Sequence, residues 1–239
     1  MHKTIAEARA LAYDLCALAL PLEIDVVVAP PFTALAAVAD ELRGSHIALA
    51  AQTMHDFAQG PYTGEVSAPM LAEIGVRFVI IGHSERRAFC GESDDAVNRK
   101  VRSALAHGIV PIVAVGETAS EHELGETHAK VTLQTRAAFA DVAPGDIARC
   151  VVAYEPIWAI GTGLVDSPEN ANAVIAQIRA CVEGLAHARI LYGGSMKGDN
   201  APALMAMPEI DGGLIGGASL TSPTFAAVID GARSKARAS

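Results

Sequence analysis

The segment Ala153-Tyr154-Glu155-Pro156-Ile157-Trp158-Ala159-Ile160-Gly161-Thr162-Gly163 ends an apolar stretch on a carboxylate and continues into a loop with two glycines. Pro156 restricts Glu155 to extended backbone angles, so the carboxylate is predicted at the carboxyl end of a strand. Gly161 and Gly163 allow the backbone to approach an anion closely. The segment therefore predicts a base beside a phosphate-sized loop, although a solvated acid at a strand end would give the same pattern.

Short apolar runs with strand character alternate with longer amphipathic stretches along the whole chain. The predicted strands are 24–29, 47–51, 77–81, 109–115, 150–154, 189–192 and 211–215. The predicted helices are 5–19, 34–42, 68–74, 94–107, 121–139, 168–185, 200–205 and 223–235. Strands that alternate with helices pair in parallel through right-handed crossovers. The order predicts an α/β fold.

Polar or glycine-rich turns follow five of the predicted strands. They are Gly82-His83-Ser84, Gly116-Glu117, Glu155, Gly193-Gly194-Ser195 and Gly216-Gly217. Functional residues at the carboxyl ends of many parallel strands are typical of a (β/α)8 barrel. A doubly wound sheet is the rival architecture. However, the loop Gly161-Thr162-Gly163 is followed by Asp166 where the third glycine of the dinucleotide-binding fingerprint would fall.

Length and composition describe one globular domain that covers residues 1–239. Hydrophobic residues make up 51% and charged residues 19% of the 239 residues, and no Ser-rich linker, charge block or repeat divides them. Single-domain α/β barrels commonly have this length. The formal charge of -9 opposes binding to nucleic acid or to an anionic membrane. A small anionic ligand would therefore need a local site.

The cysteines and histidines suggest neither a disulfide framework nor a metal site. Cys16, Cys90, Cys150 and Cys181 are far apart and contain no Cys-x-x-Cys pair, so free thiols in a reducing cytoplasm are expected. The sequence around His122 and His128 misses the His-Glu-x-x-His zinc pattern. We expect neither a metal nor an organic cofactor.

Seven motifs together resemble those of the triosephosphate isomerase family, in family order and along the whole chain. They are Ala29-Pro30-Pro31-Phe32, Tyr62-Thr63-Gly64-Glu65, Ile81-Gly82-His83-Ser84-Glu85-Arg86-Arg87, Gly116-Glu117-Thr118, the segment from Tyr154 to Gly163, Tyr192-Gly193-Gly194-Ser195 and Gly216-Gly217-Ala218-Ser219-Leu220. The resemblance implies a TIM barrel that interconverts dihydroxyacetone phosphate and D-glyceraldehyde 3-phosphate, in glycolysis and gluconeogenesis.

The resemblance also implies roles for individual residues. Glu155 matches the base that moves a carbon-bound proton, and His83 matches the electrophile that polarises the carbonyl. The family is itself a standard example of pKa control, in which a helix N-terminus keeps the histidine neutral and loop closure excludes water. Backbone N–H groups are implied as the phosphate site. They belong to Gly161, Ser195, Gly216 and Gly217, with Ile160 and Leu214 as an apolar clamp on the base.

The loop 52–65, which begins at Gln52 and ends at Glu65, resembles the segment that docks into a second subunit in this family. Phe57 and Tyr62 would then be covered, and Thr63 would approach the neighbouring active site. The resemblance therefore implies a homodimer.

Several positions depart from the family pattern. The family's first strand ends in Asn-Trp-Lys, which would lie upstream of Met1, and Lys3 falls too late to replace that lysine. We therefore expect an incomplete N-terminus, and little isomerase activity from the chain as given. Thr53 stands where the family usually has Asn, and Ala114 where it usually has Cys. Leu164-Val165-Asp166 replaces a Lys followed by small residues at the second hinge of the lid.

Two other functions fit the same motifs. A four-carbon sugar-phosphate isomerase would use the same base and electrophile. A catalytically dead barrel that binds phosphorylated ligands is the alternative suggested by the absent lysine. A serine hydrolase is disfavoured, because Gly82-His83-Ser84-Glu85-Arg86 does not match Gly-x-Ser-x-Gly.

Overall fold

A computed structural model describes residues 1–162 and 164–236, the last three of these as backbone only. Its strands are β1 Val27–Val28, β2 Ala48–Ala51, β3 Phe78–Ile81, β4 Val110–Val115, β5 Val151–Tyr154, β6 Arg189–Tyr192 and β7 Gly212–Gly213. Its α-helices are α1 Ile5–Ala17, α2 Leu35–Glu41, α3 Ala68–Glu73, α4 Ser84–Cys90, α5 Asp94–Ala106, α6 Ala119–Glu123, α7 Thr127–Ala138, α8 Pro144–Ile147, α9 Pro168–Cys181, α10 Ala201–Met205 and α11 Ser222–Ala236. Each of the seven strands lies within a predicted run.

The strands form one parallel sheet in the order β1 to β7. The register places Val115 opposite Tyr154 and Tyr154 opposite Tyr192, so the carboxyl ends of β4, β5 and β6 are level. The predicted α/β class and TIM-barrel architecture are confirmed as a curled sheet with helices between successive strands. In the described part of the chain no ladder joins β7 to β1. The expected strand before Met1 stays a prediction.

Alternate residues of the central strands pack on opposite faces of the sheet. Val113 and Val115 of β4 belong to the large core shared with the helices, whereas Ile112 belongs to a smaller cluster. That cluster also contains Ile80 and Ala153. Burial on both faces explains why the strands are continuously apolar rather than alternating. The packing fixes the strand ends, and therefore the side chains that follow them.

Three differences from the predicted helices have local causes. The predicted helix 121–139 is two helices, α6 and α7, because Gly125 between them has a φ of 73° that ends the first. The predicted polar turn after His83 is the helix α4, which ends at Gly91 in the left-handed conformation. The four-residue helix α8 was not predicted, and it begins with Pro144, a favoured first helical residue.

No helix among the described residues is long and apolar enough to cross a membrane. The thiols of all four cysteines are unpaired.

Candidate active site

Glu155 extends the sheet by one residue beyond β5. Its N–H donates to Val115 O at 2.8 Å, and on the other side Gly193 N–H donates to Tyr154 O at 2.7 Å. The backbone around the carboxylate is therefore held by β4 and by the residue after β6. Glu155 is 2% exposed, so the side chain is not the solvated strand-end acid of the alternative interpretation.

The structure brings Glu155 and His83 together. His83 Nε2 lies 2.9 Å from Glu155 Oε1, and Ser84 N–H donates to Glu155 Oε2 at 2.9 Å. Both oxygens of the buried carboxylate thus have a partner. Sequence analysis missed the role of Ser84, because the donor is a backbone group that carries no side-chain signal.

His83 is the N-cap of α4, and its Nδ1 accepts a hydrogen bond from Glu85 N–H at 3.2 Å. An accepting Nδ1 carries no proton, so the neutral ring has its proton on Nε2, which faces Glu155. Burial lowers the pKa of His83, but the hydrogen bond and charge of Glu155 outweigh it and hold that pKa above its ordinary value. The helix N-terminus therefore favours the neutral ring, and the carboxylate opposes it.

A buried ion cluster fixes the backbone in front of His83. Glu92, which is 6% exposed, accepts from Gly82 N–H at 3.0 Å and from Arg86 Nε at 2.7 Å. Lys100 Nζ lies 3.3 Å from the same carboxylate and 3.3 Å from Thr53 Oγ1. Burial raises the pKa of Glu92, but Lys100, Arg86 and the Gly82 N–H outweigh it and lower the pKa overall. Sequence analysis gave no sign of this cluster.

Two glycines form a wall against Glu155. A Cβ on Gly116 would lie 1.8 Å from the carbonyl oxygen of Glu155, and one on Gly193 would lie 2.9 Å from Glu155 Cγ. Neither position can hold a larger residue unless Glu155 moves. This close approach accounts for the glycines that end β4 and β6.

The residues predicted to bind phosphate lie in loops at the same edge of the sheet. Gly161 is exposed with a φ of 71°, and Ser195 is half-buried after β6, where its carbonyl accepts from Asn200 Nδ2 at 3.0 Å. Gly216 and Gly217 are exposed at the start of a 3₁₀ helix after β7. Gly163 lies outside the described residues. The common role of these loops in binding phosphate stays a prediction.

Six side chains from the ends of the loop 156–167 and from the elements behind it form what we call the hinge cluster. They are Glu117, His122, Tyr154, Trp158, Asp166 and Tyr192. Glu117 Oε1 accepts from Trp158 Nε1 at 2.8 Å and from Tyr154 Oη at 3.1 Å. The His122 ring stacks on Trp158, with a centroid distance of 4.2 Å. Trp158 is half-buried near one end of the loop, and Asp166 is buried near the other.

The fold, together with the pair formed by the Glu155 carboxylate and the His83 imidazole, defines an α/β barrel enzyme that uses acid-base catalysis. The sequence profile described as triosephosphate isomerase matches residues 1–232. The chain belongs to the triosephosphate isomerase family.

Similar proteins carry the same name. The triosephosphate isomerase of Chloroflexus aurantiacus is 52% identical over 236 residues, which cover 96% of this chain and 94% of that protein. That of Symbiobacterium thermophilum is 49% identical, with 95% and 92% covered. That of Caldanaerobacter subterraneus subsp. tengcongensis is 48% identical, with 96% and 95% covered.

Proposed function

We propose that this chain interconverts dihydroxyacetone phosphate and D-glyceraldehyde 3-phosphate through an enediolate. Family membership supports the reaction, and the 2.9 Å contact between His83 Nε2 and Glu155 Oε1 is the observation that carries the mechanism. The relatives described above are triosephosphate isomerases, and their names support neither a four-carbon sugar-phosphate isomerase nor a catalytically dead barrel.

In the first step Glu155 removes a proton from the carbon next to the substrate carbonyl. The low exposure of the carboxylate strengthens its interaction with a bound substrate, because little water competes for it. The same carboxylate returns the proton to the neighbouring carbon, and the hydroxyl proton of that carbon passes to the former carbonyl oxygen, so that the carbonyl and hydroxyl groups exchange places. One base on one side of the substrate is sufficient for both transfers.

The carbonyl oxygen gains charge as the proton leaves, and a donor must face it. His83 Nε2 is the available donor, because its Nδ1 is engaged with Glu85 N–H. The backbone N–H groups of Gly161, Ser195, Gly216 and Gly217 would hold the phosphate, which explains how a chain with a formal charge of -9 binds an anion. The reaction as proposed uses no metal or organic cofactor.

Glu155→Asp tests the base. The variant withdraws the carboxylate by one methylene, and a misplacement of about 1 Å can cost roughly 100-fold in rate. We expect kcat to fall by about that factor while KM changes little, as measured in a coupled assay of triose phosphate interconversion. Reaction in D2O should place deuterium on the product carbon, which distinguishes proton abstraction from a hydride shift. An unchanged kcat would remove Glu155 from the mechanism.

We also propose a homodimer through the loop 52–65. The rings of His55, Phe57 and Tyr62 form a small aromatic cluster, with centroid distances of 4.1 Å and 5.2 Å from Tyr62 to the other two. Phe57 is nevertheless 53% exposed and Tyr62 38% exposed. A preformed apolar surface of this kind fits a protein interface.

Replacement of both Phe57 and Tyr62 by Ser should convert the dimer to a monomer, because it removes the aromatic anchors of the interface. Sedimentation velocity at micromolar concentration measures the change. Tyr13→Ser is the matched control, since Tyr13 is 66% exposed on α1, outside this loop. A protein that is monomeric before substitution and fully active would refute the dimer.

We place the enzyme in the cytoplasm, where its four unpaired thiols would remain reduced. We propose neither a nucleic-acid nor a membrane partner, in keeping with the negative formal charge.

A further inference from the structure

The hinge cluster contains two buried carboxyl groups, and the mechanism uses neither. Glu117 follows β4 and is fully buried, and Asp166 is 3% exposed just before α9. Each has a bonded oxygen: Glu117 Oε1 accepts from Tyr154 and Trp158, and Asp166 Oδ1 accepts from Asn170 Nδ2 at 2.8 Å. The negative charge of Glu117 is one of the influences that raise the pKa of Asp166, so the two carboxyl groups are neighbours.

Three buried polar atoms of this cluster have no hydrogen-bond partner among the described residues: Glu117 Oε2, Asp166 Oδ2 and Tyr192 Oη. Carboxylate oxygens only accept, so two ionised acids would leave both of their free oxygens without a donor. A proton on one carboxyl would create a donor inside the cluster. Buried polar atoms without partners are costly, which favours that proton.

Asp166 is the better candidate to carry the proton. Glu117 already accepts from two side-chain donors, Tyr154 and Trp158, whereas Asp166 accepts from one, Asn170. Burial raises the pKa of Asp166, and the negative Glu117 raises it further, while Asn170, Ser167 and His122 oppose the shift without reversing it. The remaining titratable groups facing the pair are two buried hydroxyls. Burial raises the pKa of both, Glu117 and Asp166 add to the rise at Tyr154, and Asp166 adds to it at Tyr192.

We infer that Asp166 is a positioning residue for the loop 156–167: its neutral carboxyl keeps the second end of the loop in the hinge cluster, and its ionisation beside Glu117 weakens that attachment. The catalytic consequence rests on the proposed function, in which Gly161 of this loop helps to hold the phosphate. The attachment itself does not depend on the reaction. A rise in pH adds a second negative charge to a buried site whose nearest basic group is His122, with Nδ1 3.6 Å from Glu117 Oε1, and the loop end becomes less firmly held.

Trp158 provides a direct readout, since it is the only tryptophan in the chain and it contacts Glu117 and His122. We expect its fluorescence in the substrate-free protein to titrate with a midpoint above the ordinary aspartate value of about 3.9. Asp166→Asn should abolish this transition, because the amide keeps the shape and cannot ionise. Glu117→Gln should lower the midpoint toward the ordinary value by removing the like charge.

Two controls separate this transition from other titrations. Glu169→Gln removes an exposed acid three residues away and should leave the midpoint unchanged. His122→Gln should retain a transition, although the emission intensity will differ. The inference is overturned if Asp166→Asn titrates like the unsubstituted protein, or if His122→Gln alone abolishes the transition. Because no substrate is present, failure of the isomerase assay would not affect this result.

Discussion

His83→Asn should lower kcat by roughly 100- to 1000-fold without unfolding the protein, the range typical for loss of one donor to a developing oxyanion. Asparagine is a good N-cap, so it can replace Nδ1 in accepting the Glu85 N–H, but it provides no group at the position of Nε2. The variant therefore removes the proposed electrophile and retains the cap.

Steady-state kinetics and thermal unfolding together test this prediction. His83→Ala is the comparison variant: it loses the same donor and also the cap, so it should match His83→Asn in kcat and be less stable by about 1 kcal/mol. If His83→Asn had an almost unchanged kcat, carbonyl polarisation would have to come from another group.

Glu92→Ala should destabilise the fold by about 3–5 kcal/mol, the usual result of removing one partner from a buried ion pair. The substitution leaves Lys100, itself 8% exposed, without its carboxylate, and leaves Gly82 N–H without an acceptor. Since Gly82 precedes His83, activity should also fall at temperatures where the variant is folded. Chemical denaturation measures the loss, and Glu85→Ala, at an exposed site on α4, is the control expected to change stability little.

The same carboxylate gives stability a defined pH dependence. The pKa of Glu92 is lower in the folded protein than in the unfolded chain, so its contribution is complete above the unfolded value of about 4.3. It is lost as pH falls through the lower, folded value. Glu92→Gln should show a weaker loss of stability over this acidic range. If the unsubstituted protein and Glu92→Gln lost stability equally steeply at acidic pH, carboxylates other than Glu92 would be responsible for the pH dependence.

The sequence predicts the strands and the position of the site for a physical reason. A parallel strand buried on both faces is a short apolar run, and the carboxyl ends of parallel strands meet at one edge of the sheet. The residues that follow those runs, His83 and Glu155 among them, are therefore expected to lie together at that edge. The helix α4 could not be recognised, since it is only seven residues long and its cap is a histidine side chain.

Burial of charged residues is the part that the sequence does not reveal. Glu92 and Lys100 resemble surface residues of a helix and its preceding loop, and their burial depends on packing against the turn at Gly82. Asp166 was noted as an unusual hinge residue, but its proximity to Glu117 depends on how β4, β5 and α9 assemble. Glu117 and Asp166 are about fifty residues apart in the sequence, so only the tertiary fold brings them together.

The glycine wall beside Glu155 limits how this enzyme can diverge. Any side chain at Gly116 would overlap the Glu155 carbonyl, so point substitution at this position cannot reposition the base gradually. Laboratory evolution toward longer sugar phosphates would have to proceed through exposed residues such as Ile160 and Leu164, which can change size without backbone conflict. The reacting end of the pocket is therefore expected to stay constant among active variants, while the loop that faces the rest of the substrate supplies the variation.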